Sequence, residues 1–380
     1  MADLTPTCST VTFITGHYYP SPRRAGFHNL ADAAHRLGYR VNFITTGYSL
    51  LSYLRGDYRT KIPGIRANCN RAVEIRPGFV SYVYCTVWHP MTLLAPFLNA
   101  IAAPCMERYG KGDLGALLPL LRTTTVFVFE SMAGLFLFPR AKRENPNAHM
   151  IYRVSDDIRF LRSLPPRLLS FEQEIAPAFH CVSVPSARML EKFPGLPSLR
   201  LHRHGLDKAA YDACAHSPYS EGSKNAVFVG IGYFDPEFIR CAARDNPDCV
   251  FHIIGPLRDS LSLPNVRFHG EQAFAATLPY IKFADVGLFN YQYRDKDMQS
   301  FVDSLKIMQY RYCGLPIVAP DFLDLCRDGV FYYRPGNARS CSRALREALA
   351  CGRDVRRARE VRSWDEVFQD MFTDLQGARA

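Results

Sequence analysis

The chain has 380 residues, of which 48% are hydrophobic, and this length and composition favour two globular domains. Its formal net charge of +10 indicates an anionic partner, and its twelve cysteines contain no C-x-x-C pair, which argues against the usual zinc and redox motifs. The N-terminus lacks the basic and apolar regions of a signal peptide, so we expect a cytoplasmic location.

Basic residues are concentrated near the N-terminus, where residues 1–76 contain ten lysines and arginines but four acidic residues. Such a surface suits a membrane, a phosphorylated substrate or nucleic acid. Because the chain has no RRM, KH or helix-turn-helix signature, a basic nucleic-acid-binding protein is the weaker alternative.

The first half of the chain alternates between strands and helices. The β-rich run 10–15, the helical pattern 28–38 and the strand 39–45 form a βαβ unit, and later apolar runs continue a parallel sheet. Residues 89–104 form the most apolar window, which is too short to cross a membrane. We expect a core helix there, with an interfacial segment on a membrane surface as the alternative.

A second cycle of short apolar strands and helices begins near Asn225. The predicted fold class is therefore α/β, with two doubly wound domains, 1–200 and 201–350, that divide near the proline- and glycine-containing segment 193–207. Ligands bind beyond the carboxyl ends of such strands, so we expect the active site in a cleft between the domains.

Polar side chains follow two predicted strands of the first domain. Asp156 and Asp157 come after one of them, and each is a candidate for a general base or for a cap of the next turn. Glu130 and Ser131 end another strand, where they either contact a sugar or cap the following helix.

In the second domain, Gly230 and Gly232 lie in a strand-to-helix turn that either cradles a phosphate or is an ordinary glycine-rich turn. The turn is neither G-x-G-x-x-G nor a P-loop, which disfavours dinucleotide dehydrogenases and P-loop enzymes. Glu271 follows a short strand and is a candidate for ribose or base contacts, or for a helix cap. The eleven histidines form no metal-binding pattern, so we expect no metal.

Residues 303–314 are predicted to form an amphipathic helix, capped by Asp303 or Ser300, with Lys306 and Gln309 beside its inward face. That inward stripe is formed by Leu305, Met308 and Tyr312. An ammonium at a helix N-terminus is unfavourable unless an anion is present, so Lys306 is expected to bind a diphosphate; a surface lysine is the alternative.

Several segments together resemble the GumK family of glucuronosyltransferases, glycosyltransferase family 70. They include PRRAGFHNLADA, VFES, YRVSD, SPYSEG, VGIGYFDPEF and DSLKIMQYRYCGLP, in the same order. The resemblance implies a GT-B fold of two Rossmann-like domains, with residues 351–380 forming a C-terminal helix that packs back on the N-terminal domain. It also implies inverting, metal-independent transfer of glucuronate from UDP-glucuronate to a polyprenyl-diphosphate-linked oligosaccharide, in exopolysaccharide synthesis at the cytoplasmic face of the inner membrane.

The resemblance also assigns roles to single residues. The catalytic base falls on Asp156. Apart from the resemblance, Arg23, Arg24 and His28 are expected on the acceptor side, where they are candidates to pair with the donor carboxylate or the lipid diphosphate, and Glu130 and Ser131 are candidates for the acceptor or sugar side. The donor-binding positions are Gly232, Glu271, Tyr291, Lys306 and Gln309. Gly232 stands where the family has a methionine, so contacts near the base of the nucleotide are expected to differ. An enzyme that uses another UDP-sugar, including a UDP-sugar epimerase, stays open as an alternative.

Overall fold

The computed structural model describes residues 9–93, 96–161, 163–230, 232–257, 261–293 and 302–377. The chain forms two compact units, the first comprising Met1–Arg203 and Trp364–Ala380 and the second His204–Ser363. Each unit is built on a sheet that is wholly or almost wholly parallel, with helices between successive strands. The predicted α/β class with two doubly wound domains is confirmed.

The first unit contains an eight-stranded sheet. Its strands are β1 (Thr10–Thr15), β2 (Arg40–Ser49), β3 (Ala72–Arg76), β4 (Phe79–Thr86), β5 (Val126–Glu130), β6 (His149–Arg153), β7 (Cys181–Val184) and β8 (Leu199–Leu201). The strand order is β3-β4-β2-β1-β5-β6-β7-β8, in which β3 alone runs antiparallel to its neighbour. The central strands β5 and β6 are buried along their whole length, as expected for a parallel sheet covered by helices on both faces.

In the described part of this unit, six helices lie between the strands: α1 (Gly26–Arg36), α2 (Leu50–Leu54), α3 (Pro96–Met106), α4 (Leu117–Arg122), α5 (Phe138–Glu144) and α6 (Pro166–Ile175). The favoured prediction of a core helix for residues 89–104 is wrong in one respect. In α3, Phe97 is 65% exposed and Ile101 is 71% exposed, whereas the polar Asn99 is buried. Asn99 is drawn inward because its side chain exchanges hydrogen bonds with the backbone of Leu93, at 2.8 and 3.2 Å.

The second unit contains a six-stranded parallel sheet in the order β11-β10-β9-β12-β13-β14. Its strands are β9 (Lys224–Val229), β10 (Cys249–Ile254), β11 (Val266–Gly270), β12 (Val286–Leu288), β13 (Ile317–Pro320) and β14 (Val330–Tyr333). Its helices are α7 (Lys208–Asp212), α8 (Pro236–Asp245), α9 (Phe274–Phe283), α10 (Leu305–Tyr312) and α11 (Ala338–Cys351).

Helix α10 is buried on nearly all sides, so the predicted amphipathic stripe is wrong. Tyr310 packs on the strand below, since a Cβ at Gly287 would lie 2.6 Å from its ring. The hydroxyl of Tyr310 donates to the main-chain carbonyls of β9 and β12. The prediction of Asp303 as the cap is wrong, because the N-cap residue is Ser304 and Asp303 pairs with Arg327; the alternative cap, Ser300, lies outside the described residues.

The last helix, α12 (Trp364–Gly377), belongs to the first unit and packs against α1 and β7. Tyr39 contacts Phe368 and Phe372 of α12 at ring-centroid distances of 5.4 and 5.2 Å, and Arg36 pairs with Asp365 at 2.6 Å. None of the helices in the described part of the chain is long and apolar enough to cross a membrane.

Each sheet has a switch point at which successive strands are added on opposite sides. In the first unit the neighbours of β1 are β2 and β5, and in the second unit the neighbours of β9 are β10 and β12. Ligands of doubly wound sheets bind outside the carboxyl ends of the strands at this point, which fixes where each unit's functional residues are to be sought.

Candidate active site

In the first unit, three adjacent strands bring together residues predicted for catalysis. β1, β5 and β6 are neighbours in the sheet and run parallel. Glu130 ends β5 and Ser131 follows it, Asp156 lies shortly after β6, and His17 lies shortly after β1. The switch point of this sheet therefore carries two carboxyl groups, a hydroxyl group and an imidazole.

Asp156 is exposed, and the loop that carries it is held to the end of β5. Its backbone N–H donates to Ser131 Oγ at 3.1 Å, and Ser131 is fully buried. Partial loss of solvation raises the pKa of Asp156 above its ordinary value, and the charge of Glu130 adds to the rise, while His17 opposes it. A raised pKa makes the carboxylate a better proton acceptor, which suits a general base.

Asp157 has a different environment. It caps a 3-10 turn by accepting a hydrogen bond from the Arg159 N–H at 3.1 Å, and it lies 3.3 Å from the buried amino group of Lys192. Burial opposes ionisation, but the hydrogen bonds from Arg159 and the charge of Lys192 hold the pKa of Asp157 below its ordinary value. Of the two adjacent aspartates, Asp157 is therefore the structural one.

Glu130 is buried and anchors the loop after β1. Its carboxylate accepts hydrogen bonds from Thr15 Oγ1 and from the Gly16 N–H, and it lies 3.3 Å from His17 Nε2. Burial alone would raise the pKa of Glu130, but His17 and these hydrogen bonds lower it. The structure thus places Glu130 and Ser131 behind the loops that carry His17 and Asp156, where Glu130 holds His17 and Ser131 holds the backbone of Asp156.

Sequence reasoning missed His17. Burial alone would lower its pKa, but the charge and hydrogen bond of Glu130, together with the charge of Asp156, raise the pKa of His17 above its ordinary value. The signal in the sequence was its place, two residues beyond the first strand of a doubly wound domain.

A cavity of about 450 Å³ lies beside His17. Arg59 forms part of its wall and donates to the carbonyls of Gly16 at 2.7 Å and Thr46 at 3.0 Å, while it pairs with Asp57 at 2.6 Å. Arg59 thereby joins the loop after β1 to the C-terminal part of β2. The remaining lining is mixed, with polar residues Ser52, Arg55, Tyr58, His89 and Ser163 and apolar residues Met91, Met132 and Leu164.

The two predicted arginines differ in exposure. Arg23 is exposed, and its guanidinium lies 4.8 Å from the centroid of the Tyr58 ring, which lines the cavity. Arg24 forms an ion pair with Asp32 and lies over the Tyr19 ring at 5.2 Å. Arg23 is therefore the better placed of the two for an anionic ligand.

His28 is fully buried as part of the N-terminal cap of α1. Its Nε2 donates to the carbonyl of Tyr18 at 3.1 Å, and its Nδ1 accepts from the Ala25 N–H at 3.0 Å. Burial lowers the pKa of His28 to about 4, so the ring is neutral at physiological pH. The expectation that His28 pairs with an anionic substrate is not supported, because both ring nitrogens bind the backbone.

In the second unit, Lys306 lies at the switch point in a group of aromatic rings. Its Nζ is 3.7 Å from the ring centroid of Phe228, 4.8 Å from that of Tyr291 and 5.6 Å from that of Phe289. No acceptor in the described ranges forms a hydrogen bond with Nζ, and burial lowers the pKa of Lys306 well below its ordinary value. An unpaired buried amine of this kind is a costly arrangement that a bound anion would relieve.

Gly230, rather than Gly232, is the glycine that closely approaches this lysine. A Cβ at Gly230 would lie 2.9 Å from Lys306 Nζ, whereas a Cβ at Gly232 would meet nothing within 4 Å among the described residues. Tyr233, next in the chain, has a φ of +58°, so the turn uses the left-handed region at a non-glycine position.

The other donor-binding predictions surround the same end of the sheet. Tyr291 is 8% exposed and pairs with Phe234 through an isolated bridge, and Gln309 is buried one turn after Lys306 on α10. Glu271 is exposed directly after β11, two strands away from β9. Tyr291 and Lys306 are therefore brought together, whereas Glu271 lies at a separate strand end.

Comparisons with known proteins agree on the class of enzyme. Residues 13–185 match the family Glucuronosyltransferase GumK, N-terminal domain. A protein of Xanthomonas campestris pv. campestris, UDP-glucuronate:glycolipid 2-beta-glucuronosyltransferase, is 30% identical over 356 residues, which cover 93% of this chain and 87% of that protein.

Solved structures with low sequence identity share the fold. AviGT4, a glycosyltransferase involved in avilamycin A biosynthesis, matches with a TM-score of 0.54 and 13% identity, covering 97% of each chain. The trehalose-6-phosphate synthase OtsA matches with a TM-score of 0.59 and 12% identity, covering 97% of this chain and 99% of that one. The fold is accordingly that of the GT-B glycosyltransferases, and the chain belongs to the GumK family of glucuronosyltransferases.

Proposed function

We propose that this enzyme transfers glucuronate from UDP-glucuronate to a hydroxyl group of a polyprenyl-diphosphate-linked oligosaccharide, with inversion of the anomeric centre and without a metal ion. The observation that carries the proposal is Lys306, whose buried amine lacks a hydrogen-bond partner in the described part of the chain and lies at the switch point of the second unit. The diphosphate of a nucleotide sugar supplies the anion that this amine lacks. The relative of Xanthomonas, which is named for UDP-glucuronate and a glycolipid, supports the same substrates.

We propose a β-linked product, the linkage in the name of the Xanthomonas relative, and inversion follows from it. UDP-sugars carry the sugar in α linkage, so a β-linked product requires a single displacement and one general base. Asp156 takes the proton of the acceptor hydroxyl, the freed oxygen pair forms the bond to the anomeric carbon, and the bond from that carbon to the phosphate oxygen breaks. The electron pair of that bond leaves with UDP.

Charge develops on the leaving diphosphate during this step. Lys306 is the cation that we assign to it, with Gln309 and the backbone N–H groups of the first turn of α10 as further donors. Because a lysine supplies the positive charge, we propose that no divalent cation is required. Tyr291, whose ring lies 4.8 Å from Lys306 Nζ, is assigned to the uracil side, together with Glu271 and Gly232.

The acceptor is assigned to the first unit. The cavity beside His17 contains hydroxyl, imidazole and arginine groups that suit a saccharide, and Arg23 and Arg55 are cations for a lipid diphosphate. A second cavity of about 450 Å³ shares Arg55, His89 and Met91 with the first. Its other lining is largely apolar and consists of Leu51, Leu54, Trp88, Leu93, Ala102, Cys105 and Met106.

Exposed apolar residues around this second cavity suggest contact with a membrane. Leu54 in α2 is 83% exposed, Val87 after β4 is 73% exposed, and Phe97 and Ile101 in α3 are 65% and 71% exposed. Apolar side chains beside a basic surface are typical of proteins that lie on anionic lipid. We therefore propose a peripheral location at the cytoplasmic face of the inner membrane, in exopolysaccharide synthesis.

The proposal is tested with purified protein, radiolabelled UDP-glucuronate and a polyprenyl-diphosphate oligosaccharide in vesicles that contain phosphatidylglycerol. Label is expected in the lipid fraction, with a β linkage by NMR and an unchanged rate in EDTA. Parallel reactions with UDP-glucose and UDP-galactose test donor choice, and a reaction without acceptor tests for an epimerase. The assignment to glucuronate transfer would be overturned if label reached the lipid from another UDP-sugar but not from UDP-glucuronate. It would also be overturned if the enzyme converted the sugar of the UDP-sugar in the absence of acceptor.

A further inference from the structure

The ring of His17 lies between a buried carboxylate and the cavity of the first unit. Its Nε2 is 3.3 Å from Glu130 Oε1, and its backbone N–H donates to Thr15 Oγ1 at 3.0 Å. The carbonyl of His17 accepts a hydrogen bond from Thr45 Oγ1 at 2.8 Å. The ring itself lines the cavity and retains 26% exposure. Both the main chain and one nitrogen of His17 are therefore fixed, while the rest of the ring faces the cavity.

Four ionisable groups from four different elements surround this ring. Glu130 at the end of β5 and Asp156 after β6 are the anions, and both raise the pKa of His17. Arg59, from the turn after α2, lowers the pKa of His17, and its own charge is shared with Asp57 and three backbone carbonyls. His28 of α1 has its ring 5.4 Å away, and burial keeps it neutral.

His17 and Asp156 follow β1 and β6, on either side of Glu130 at the end of β5, and among the described residues His17 is the titratable cation that acts on Asp156. His28 is neutral at physiological pH because its pKa is about 4, and His89, which also lines the cavity, is neutral for the same reason. Glu130 and Asp157 both push the pKa of Asp156 upward, and His17 is the group that pushes it downward.

We propose that His17, anchored by Glu130, is a positioning residue that keeps Asp156 in its anionic form and thereby sets the lower pH limit of glycosyl transfer. This inference rests on the proposed function, since it takes Asp156 to be the general base. A base must be deprotonated before the acceptor hydroxyl arrives, and a nearby imidazolium favours that form. In this arrangement the charge of the His17 imidazolium acts on the base Asp156, and His17 is itself held by the buried carboxylate of Glu130.

The direction of the effect follows from the charges. In His17→Gln, the amide retains a donor for Glu130 but the positive charge is lost. The pKa of Asp156 then rises, so the acidic limb of the pH profile of kcat/KM moves to higher pH. We expect a shift of about half to one pH unit, at or below the lower limit of the roughly 1 to 3 units that an opposite charge within about 4–6 Å produces. At pH well above the limb, most of the wild-type rate is expected to return.

His89→Gln is the matched control, because it removes an imidazole from the same cavity that is neutral over the pH range of the assay. Whatever its effect on rate, it is expected to leave the position of the acidic limb unchanged. Thermal melting of both variants shows whether each one is folded. An acidic limb of His17→Gln that coincides with that of the wild type would overturn the inference, as would an equal shift in His89→Gln.

A second measurement separates this inference from the proposed function. NMR of the ¹³C-labelled side-chain carboxyl groups of aspartate gives the pKa of Asp156 without any substrate. The Asp156 signal is assigned through Asp156→Asn. We expect this pKa to rise in His17→Gln and the imidazole pKa of His17 to fall in Glu130→Gln. If wild-type protein fails to transfer glucuronate, the proposed function fails while this titration still decides the charge coupling. If transfer occurs and the pKa of Asp156 is unchanged in His17→Gln, the inference alone fails.

Discussion

The Nζ atom of Lys306 lies 3.7 Å from the centroid of the Phe228 ring, in contact with an aromatic face instead of a carboxylate. A cation–π interaction stabilises an ammonium there, but burial without a hydrogen-bond acceptor favours the neutral amine and lowers the pKa of Lys306. A diphosphate beside Lys306 reverses this balance, because an adjacent anion raises the pKa of an amine. Protonation of Lys306 is therefore expected to accompany nucleotide binding.

UDP binding is predicted to take up a proton at neutral to mildly alkaline pH. Because the pKa of Lys306 is low in the free protein and higher in the complex, affinity falls as pH rises towards the pKa of the complex. Calorimetric titration in phosphate and Tris buffers at equal pH measures the uptake through their different ionisation enthalpies. Identical binding enthalpies in the two buffers would contradict the prediction.

The substitution Lys306→Met tests whether Lys306 serves UDP binding or the stability of the fold. Methionine fills a similar volume without a polar atom, so the cost of the unpaired buried amine disappears and the melting temperature is expected to be unchanged or higher. UDP affinity is expected to fall by about tenfold or more, the usual loss of a charge-assisted hydrogen bond. A variant that melts at lower temperature yet binds UDP normally would show that Lys306 serves the fold.

Gly230→Ala places a methyl group 2.9 Å from Lys306 Nζ and 3.3 Å from the Phe228 ring. The lysine end can move aside at small cost to stability, but it then leaves the position from which we propose that it binds the diphosphate. We predict weaker UDP binding by calorimetry with a small change in melting temperature. Gly232→Ala is the control for stability, since nothing described lies within 4 Å of the new methyl group. Wild-type UDP affinity in Gly230→Ala would refute the prediction.

The position of Lys306 could be predicted from the sequence, but its surroundings could not. Strand, helix and glycine patterns correctly predicted a helix between strands β12 and β13 of the second domain. Its pattern suggested one inward stripe, whereas the structure buries residues on nearly every side of α10. Burial on all sides depends on the neighbouring elements, which the local sequence does not specify.

The residues around Asp156 show a second limit of sequence reasoning. Spacing did not separate Asp156 from Asp157, because capping and base catalysis use the same carboxyl group. The distinction comes from Lys192, which lies 3.3 Å from Asp157 and is 35 positions away in the chain. His17 and Glu130 likewise meet across two strands, so neither residue alone carries a recognisable motif.

The two aspartates are predicted to respond differently to the same substitution. Asp156→Asn removes the proposed base, so transfer is expected to fall by about 10²-fold or more while UDP affinity and melting temperature stay near wild type. Asp157→Asn removes a cap and the partner of Lys192, so it is expected to lower the melting temperature. Rate, calorimetry and thermal melting on both proteins test the assignment, and full activity in Asp156→Asn would contradict it.

The stability loss in Asp157→Asn has a predicted pH dependence. Because the pKa of Asp157 is lowered in the folded state, its stabilisation is fully present above the ordinary aspartate pKa, about 4, and is lost as pH falls through the lower folded value. Urea unfolding of the variant and the wild type should differ at pH 7 and converge in acid. A difference that grows as the pH falls would contradict the assignment of Asp157 as a stabilising carboxylate.

Membrane contact is predicted to depend on the exposed apolar side chains of α3. Phe97 and Ile101 are 65% and 71% exposed. Replacing both by serine removes apolar surface that would otherwise transfer from water into the lipid. Cosedimentation with phosphatidylglycerol vesicles is expected to weaken by about tenfold or more. The fold is expected to persist, because neither side chain contributes to the buried core.

Val355→Ser is the matched control, since Val355 is 81% exposed but lies in the second unit. It is expected to bind the vesicles like the wild type. Vesicles of neutral phosphatidylcholine separate the two forces, because the basic surface acts on anionic lipid and the apolar side chains act on both. Equal vesicle binding by the wild type and the double serine variant would place the membrane contact elsewhere, and equal weakening by Val355→Ser would show that the effect is not specific to α3.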